Sequence, residues 1–127
     1  MIGIIVFAHG SRIEAANQAV RTVAADLATA GNFPHVEAAF LELGQPPLEG
    51  AVTILLSKGV TRILVIPYFL TLGMHLERDL PRLIDAITQA HPGLAISVTP
   101  PLDGHPALLQ ALLDRAKSLS QWDSTNT

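Results

Sequence analysis

Four short apolar runs punctuate this chain, and a segment of helical period follows each. The runs are IGIIVFA (2–8), HVEAAFL (35–41), RILVIP (62–67) and LAISVTP (94–100). Short runs rich in Ile and Val suit strands buried on both faces of a sheet. Between them the period lengthens. Ile13, Ala16, Val20, Val23, Leu27 and Ala30 recur at steps of three and four. They predict one inward helical stripe, stopped at Gly31 and Asn32. After the prolines of QPPLEG, Leu48, Val52, Leu55 and Leu56 predict a second helix, with Gly59 as its C-cap. Asp79 reads as the N-cap of a third, with Pro81 in its first turn and Leu83, Ile84, Ile87 and Ala90 facing inward. Pro106 opens a last helix carrying Leu109, Leu112, Leu113 and Ala116. Four strand–helix units joined by crossovers predict an α/β fold. It is a small doubly wound four-stranded parallel sheet with helices on both faces.

The length, 127 residues, suits one domain. Residues 1–119 read as that domain and 120–127 (SQWDSTNT), which carry no periodicity, as a frayed tail. The chain is 49% hydrophobic and 15% charged, which supports a filled core. Its net charge is −3 with no Lys/Arg cluster, so nucleic acid is not an expected partner. The absence of cysteine excludes disulfides, thiolate zinc sites and iron–sulfur clusters. No run is long enough for a membrane span and the N-terminus is no convincing signal peptide, so a cytoplasmic protein is expected.

In such folds ligands bind beyond the carboxyl ends of the strands. The first strand leads there to His9, Gly10, Ser11 and Arg12, the second to Glu42, and the third to a loop holding Tyr68, Gly73 and His75. The fourth leads to Asp103 and His105, the latter better explained as part of a helix start. His35 and His91 fall at the opposite edge. Imidazole is a ligand for Co, Fe, Ni or Zn and titrates near neutrality, so His9 suits a metal ligand or a base as well as a simple capping turn. Ser11 reads equally as a helix cap or a ligand contact. Glu42 ends an apolar strand, where a carboxylate needs a partner or water. Two imidazoles and a carboxylate from three strands make an N/N/O metal site with open positions. Tyr68, Phe69, Leu70, Thr71, Leu72, Gly73 and Met74 form a mostly apolar stretch that suits the wall of a flat ligand, ordinary core or a dimer seam. No GxGxxG, P-loop or GxSxG is present to support nucleotide or hydrolase readings. Ala8 stands where phosphotransfer chemistry on His9 usually wants an arginine.

Taken together, AHGSR, FLELGQPPLEGAV, ILVIPYFLTLGMHLERDLP and PPLDGHPALLQALLDR resemble the class II tetrapyrrole chelatases, above all the small single-domain sirohydrochlorin cobaltochelatases. The resemblance runs to about Ala116. It implies ATP-independent insertion of Co(II), or in relatives Fe(II) or Ni(II), into sirohydrochlorin, with the metal as substrate and no organic cofactor. The family's paired histidines match His9 and His75, and a metal-site glutamate matches Glu42. The resemblance also implies a homodimer whose two copies build a shared cleft. Ser11, Arg12, Arg78 and the 68–74 stretch are then candidates to hold the macrocycle and its eight carboxylates. A non-catalytic metal- or tetrapyrrole-binding module is the alternative of another class.

Overall fold

The computed structural model describes residues 1–126. Its elements are β1 (Ile2–Ala8), α1 (Glu14–Gly31), β2 (Val36–Phe40), α2 (Leu48–Ser57), β3 (Arg62–Pro67), α3 (Met74–Ala90), β4 (Ala95–Val98), α4 (Pro106–Ala116) and α5 (Leu119–Asn126). The sheet order is β2-β1-β3-β4 and every pair is parallel. β1 is central, with Val6 opposite Ala38 on one side and Ile66 on the other. It is buried from Gly3 to Ala8, as a strand covered on both faces must be.

The alternation of side chains across β1 divides the core. Ile5 and Phe7 pack with Leu48, Ala51, Val52 and Leu55 of α2 and with Leu80, Ile84 and Ile87 of α3. Val6 and Ala8 pack on the other face with Ala38, Phe40 and Ala24, beside the partly buried Val20 and Leu27 of α1. Helices thus lie on both faces, as the sequence predicts.

Three expectations shift. On α1 the inner positions are Asn17, Val20, Ala24 and Leu27, while Ile13, Ala16, Val23 and Ala30 are exposed. The helix carries apolar residues on two sides. Ala24, small enough for close approach, faces the sheet, and an asparagine takes an inner place because loop backbone there needs partners. α3 begins at Met74 with Gly73 as its N-cap, five residues before Asp79, and Pro81 lies within it. The half-buried Leu76 extends the stripe of Leu80, Leu83, Ile84 and Ile87 backward, and this packing outweighs the one ladder bond Pro81 cannot donate. Met74, His75 and Arg78 therefore lie on helix, not loop, and Ala90 is exposed. Finally, α4 buries no residue: Leu109, Leu112 and Leu113 are 62%, 67% and 52% exposed. On the sheet face that α1 leaves free, Ile2, Arg62, Leu64, Ala95 and Ser97 border an open cavity of about 370 Å³. Of the stretch read as a tail, 120–127, residues 120–126 belong to the helix α5, and residue 127 lies outside the described residues. Among the described residues no helix is long and apolar enough to cross a membrane.

Candidate functional site

Past its last paired residue β1 continues beside β2. Leu41 N–H donates to the Ala8 carbonyl (2.9 Å) and Glu42 N–H to the His9 carbonyl (3.0 Å). This extension of the parallel ladder sets two side chains face to face. His9 Nε2 lies 2.9 Å from Glu42 Oε1, with both side chains 58% exposed. A nitrogen and an oxygen bound to one first-row metal at about 2.1 Å each stand about 3 Å apart at an octahedral edge. The pair is already at that separation, joined by a hydrogen bond.

Gly10 makes the close approach of the two loops feasible. Its φ is +96°, and a Cβ there would lie 1.7 Å from the Glu42 carbonyl oxygen. Ser11 Oγ accepts from Ile13 N–H (3.0 Å) in the turn before α1, whose N-cap is Ile13 with no side-chain cap bond, so Ser11 does not cap the helix, and Arg12 is exposed. Below them Asn17 bonds the backbone of both loops. Glu14, at the start of α1, is held below its ordinary pKa by hydrogen bonds from Arg21 first and Asn17 second.

His75 faces the same space from α3. A cavity of about 410 Å³ is bordered by His9 and Leu41 on one side and by Phe69, Thr71, Gly73, Met74, His75, Leu76 and Asp79 on the other. Arg78 Nη2 donates to His75 Nδ1 (3.2 Å), and its Nε lies 3.4 Å from Asp79 Oδ1. An arginine only donates, so Nδ1 is the acceptor and the proton of a neutral His75 ring sits on Nε2. Among the described residues no three of His, Cys, Asp and Glu are gathered closely enough to hold a metal ion. His9 and Glu42 are brought together; His75 borders the same cavity without joining them as a third ligand.

The 68–74 stretch is not a single wall. Phe69 and Leu72 pack on the core, and the Phe69 ring lies 6.0 Å from Phe7 and 6.4 Å from His9. Tyr68, Leu70 and Met74 point to solvent. Amides of Leu102 and Asp103 bond the carbonyls of Phe69 and Leu70 (3.0 and 2.8 Å), joining the β4 loop to this rim. His105 is the N-cap of α4, its Nδ1 accepting from Ala107 N–H (3.0 Å), as a helix-start residue should. His35 and His91 lie at the opposite edge, before β2 and after α3. Sequence reasoning missed Asp79, which it read as a cap, and Asn17, whose signal was a polar residue at an inner position of the α1 stripe.

A family model described as CbiX matches residues 3–119. The chain belongs to the CbiX family. Among curated proteins it is 36% identical over 84 residues to a sirohydrochlorin cobaltochelatase of Methanopyrus kandleri, which covers 66% of this chain and 59% of that one. It is 32% identical over 113 residues to a chloroplastic sirohydrochlorin ferrochelatase of Arabidopsis thaliana, covering 89% of this chain and 50% of that one. The crystal structure of the sirohydrochlorin chelatase SirB from Bacillus subtilis in complex with cobalt superimposes with a TM-score of 0.84 at 27% identity, over 92% of this chain and 50% of that one. This CbiX-family chain thus spans about half to three fifths of the length of these relatives.

Proposed function

We propose that this chain inserts a divalent metal into sirohydrochlorin without ATP, with Co(II) as the preferred substrate metal. The observation that carries the reading is the His9–Glu42 pair, 2.9 Å apart at the mouth of a cavity that His75 borders from the other side. His9 Nε2 and Glu42 Oε1 would hold the incoming metal once the hydrogen bond between them opens and its proton passes to solvent. His75 supplies the further donor or base. Insertion exchanges one dication for two pyrrole N–H protons, so the site must accept protons as it releases metal. Imidazoles do this near neutral pH, and the Glu42 carboxylate offsets the metal's charge meanwhile. Arg78, Arg12, Ser11 and the N-terminal amides of α3 meet the macrocycle's carboxylates. When a substrate carboxylate draws Arg78 away, His75 Nδ1 is freed as a base. Thr71, Gly73 and Met74 border the ring's path.

The functional unit is a homodimer with a shared cleft, built from residues 1–119 of each copy. Two features support this. α4 presents three exposed leucines, and the sheet face beyond α1 is open beside Leu64 and Ala95. The Arabidopsis and Bacillus subtilis relatives match this chain over only half of their own length, which leaves room in one chain for what a second copy supplies here. Iron insertion is the second reading, favoured by the Arabidopsis ferrochelatase relative at 32% identity.

The test is anaerobic absorbance of sirohydrochlorin with purified protein and Co(II), Fe(II) or Ni(II). Metal-dependent spectral change well above the uncatalysed rate is expected, fastest with Co(II), and lost in H9A and H75A but not in H35A or H91A. Tight macrocycle binding with no acceleration for any metal would instead identify a carrier.

A further inference from the structure

Asn17 is 2% exposed and is the one polar or charged residue buried among the described residues. An amide inside a helix–sheet interface is costly unless its groups are paired. Here all are. Asn17 Oδ1 accepts from Ser11 N–H (2.8 Å), and Nδ2 donates to the carbonyls of Ser11 (2.9 Å) and Leu43 (2.9 Å), with Glu14 Oε2 more distant at 3.4 Å. Ser11 stands two residues after His9, and Leu43 one residue after Glu42. One side chain therefore ties together the two backbone segments that carry the facing pair.

The sheet cannot do this alone. The ladder between the two segments ends with Glu42 N–H on the His9 carbonyl. Beyond it Leu43 adopts φ +58°, a left-handed conformation that leucine does not choose unaided, and its carbonyl is the one Asn17 holds. One turn along α1, Arg21 Nη2 donates to the Gln45 carbonyl (2.9 Å), while its guanidinium lies over the Phe40 ring and pairs with Glu14 (2.6 Å). α1 thus grips the segment after Glu42 at two points. The His9 and Glu42 side chains, both exposed, have no comparable packing of their own.

We propose that Asn17, assisted by Arg21, is the positioning residue of the His9–Glu42 pair, setting the two donors at metal-bridging separation from beneath. The proposal rests on the chelatase reading for its functional meaning, but its first readout needs only the metal. Isothermal titration with Co(II) alone compares wild type, N17A, R21M and H9A, with N17A and R21M each also placed in the H9A background. Outer residues that orient ligands change metal affinity by about 10–100-fold when removed. N17A is expected to weaken Co(II) binding about tenfold and R21M by a smaller factor. Both losses should vanish once His9 is absent, because the pair they position no longer exists. Losses of equal size in the H9A background would mark a merely structural role and overturn the proposal, as would wild-type affinity in both single variants. Should N17A fail to fold, R21M, at a more solvent-accessible position, decides by the same criteria. Turnover with sirohydrochlorin is then measured on the same proteins. Wild-type insertion with unchanged N17A affinity refutes the positioning role and spares the chelatase. Loss of Co(II) affinity in N17A with no insertion by wild type does the reverse.

Discussion

Gly10 offers the sharpest test of how the site is built. In Gly10→Ala the new Cβ would stand 1.7 Å from the Glu42 carbonyl oxygen and 2.9 Å from its carbon. That first separation must roughly double to reach ordinary van der Waals contact at 3.4 Å. The obstacle is backbone, so no rotamer change relieves it; the β1 and β2 loops must part. Two costs add. The left-handed φ of +96° costs an L-residue about 1–2 kcal/mol, and forcing a carbon into a filled contact costs about 1–3 kcal/mol. A total of about 3 kcal/mol lowers Tm by roughly 12 °C for a domain of this size. Gly93→Ala separates the terms, since Gly93 has φ +91° and its new Cβ would meet no atom within 4 Å. It should lose only the conformational part, about 1–2 kcal/mol. The larger difference is functional. Parting the loops moves the Glu42 carboxylate away from His9 Nε2, and a misplacement of about 1 Å at a reacting centre costs on the order of 100-fold in rate. Anaerobic Co(II) insertion at a temperature where both variants are folded should fall about 100-fold in Gly10→Ala and stay near wild type in Gly93→Ala. Wild-type turnover in folded Gly10→Ala, or equal loss in both, would refute the claim that close backbone approach sets the pair.

Two further outcomes are expected. Glu42→Gln keeps the shape of the pair but removes its charge, so kcat should fall about 10–100-fold while macrocycle affinity, read by fluorescence quenching, stays unchanged; a loss confined to affinity would contradict the role given to the carboxylate. Leu112→Asp, at a 67% exposed position, should leave monomer stability unaltered but convert a dimer of twice 13.5 kDa to monomer by light scattering, with activity falling in parallel; a fully active monomer would remove the shared cleft.

β1 was legible because burial on both faces leaves little choice of side chain: Ile4, Ile5, Val6 and Phe7 spell it out directly, whereas β4, read the same way, is mostly exposed. The sequence placed His9, Glu42 and His75 at one carboxyl edge; that His9 and Glu42 meet as a pair depends on β1 and β2 being neighbours, which the strand order supplies. Helix phase was harder. Ile13 and Val23 on α1 are apolar but outward, and nothing in the periodicity ranks them below Ala24, whose advantage is smallness against the sheet. The start of α3 was hidden by Pro81, a residue that usually opens helices; packing of Leu76 decided otherwise. That error mattered for function, because it moved His75 and Arg78 from a free loop onto adjoining turns of one helix, where they bond each other. Asn17 showed only as a polar residue at an inner position of α1; its role stayed hidden because its partners are backbone groups of loops, whose course a local pattern does not reveal.

The strand order explains why the chemistry gathers where it does. From β1 the chain crosses to β2 on one side, then returns past β1 to β3 on the other. The first crossover lays α1 on one face of the sheet, and the next lays α2 on the opposite face. The loops leaving β1 and β3 therefore diverge at their carboxyl ends and open a crevice that no helix fills. His9 stands on the β1 lip and the 68–75 segment on the β3 lip. The two lips are held by different means. Backbone ladder and the α1 side chains hold the β1 lip against β2, whereas the β3 lip is held by backbone bonds to β1 and to the β4 loop, by Phe69 and Leu72 seated in the core and by the first turn of α3. A facing N/O pair on one lip and an imidazole with its arginine on the other give two separately supported donor groups across one gap. Transfer of a metal between a protein and a planar macrocycle needs this division, because the donors that hold the ion must be able to part from it as the ring's nitrogens take over.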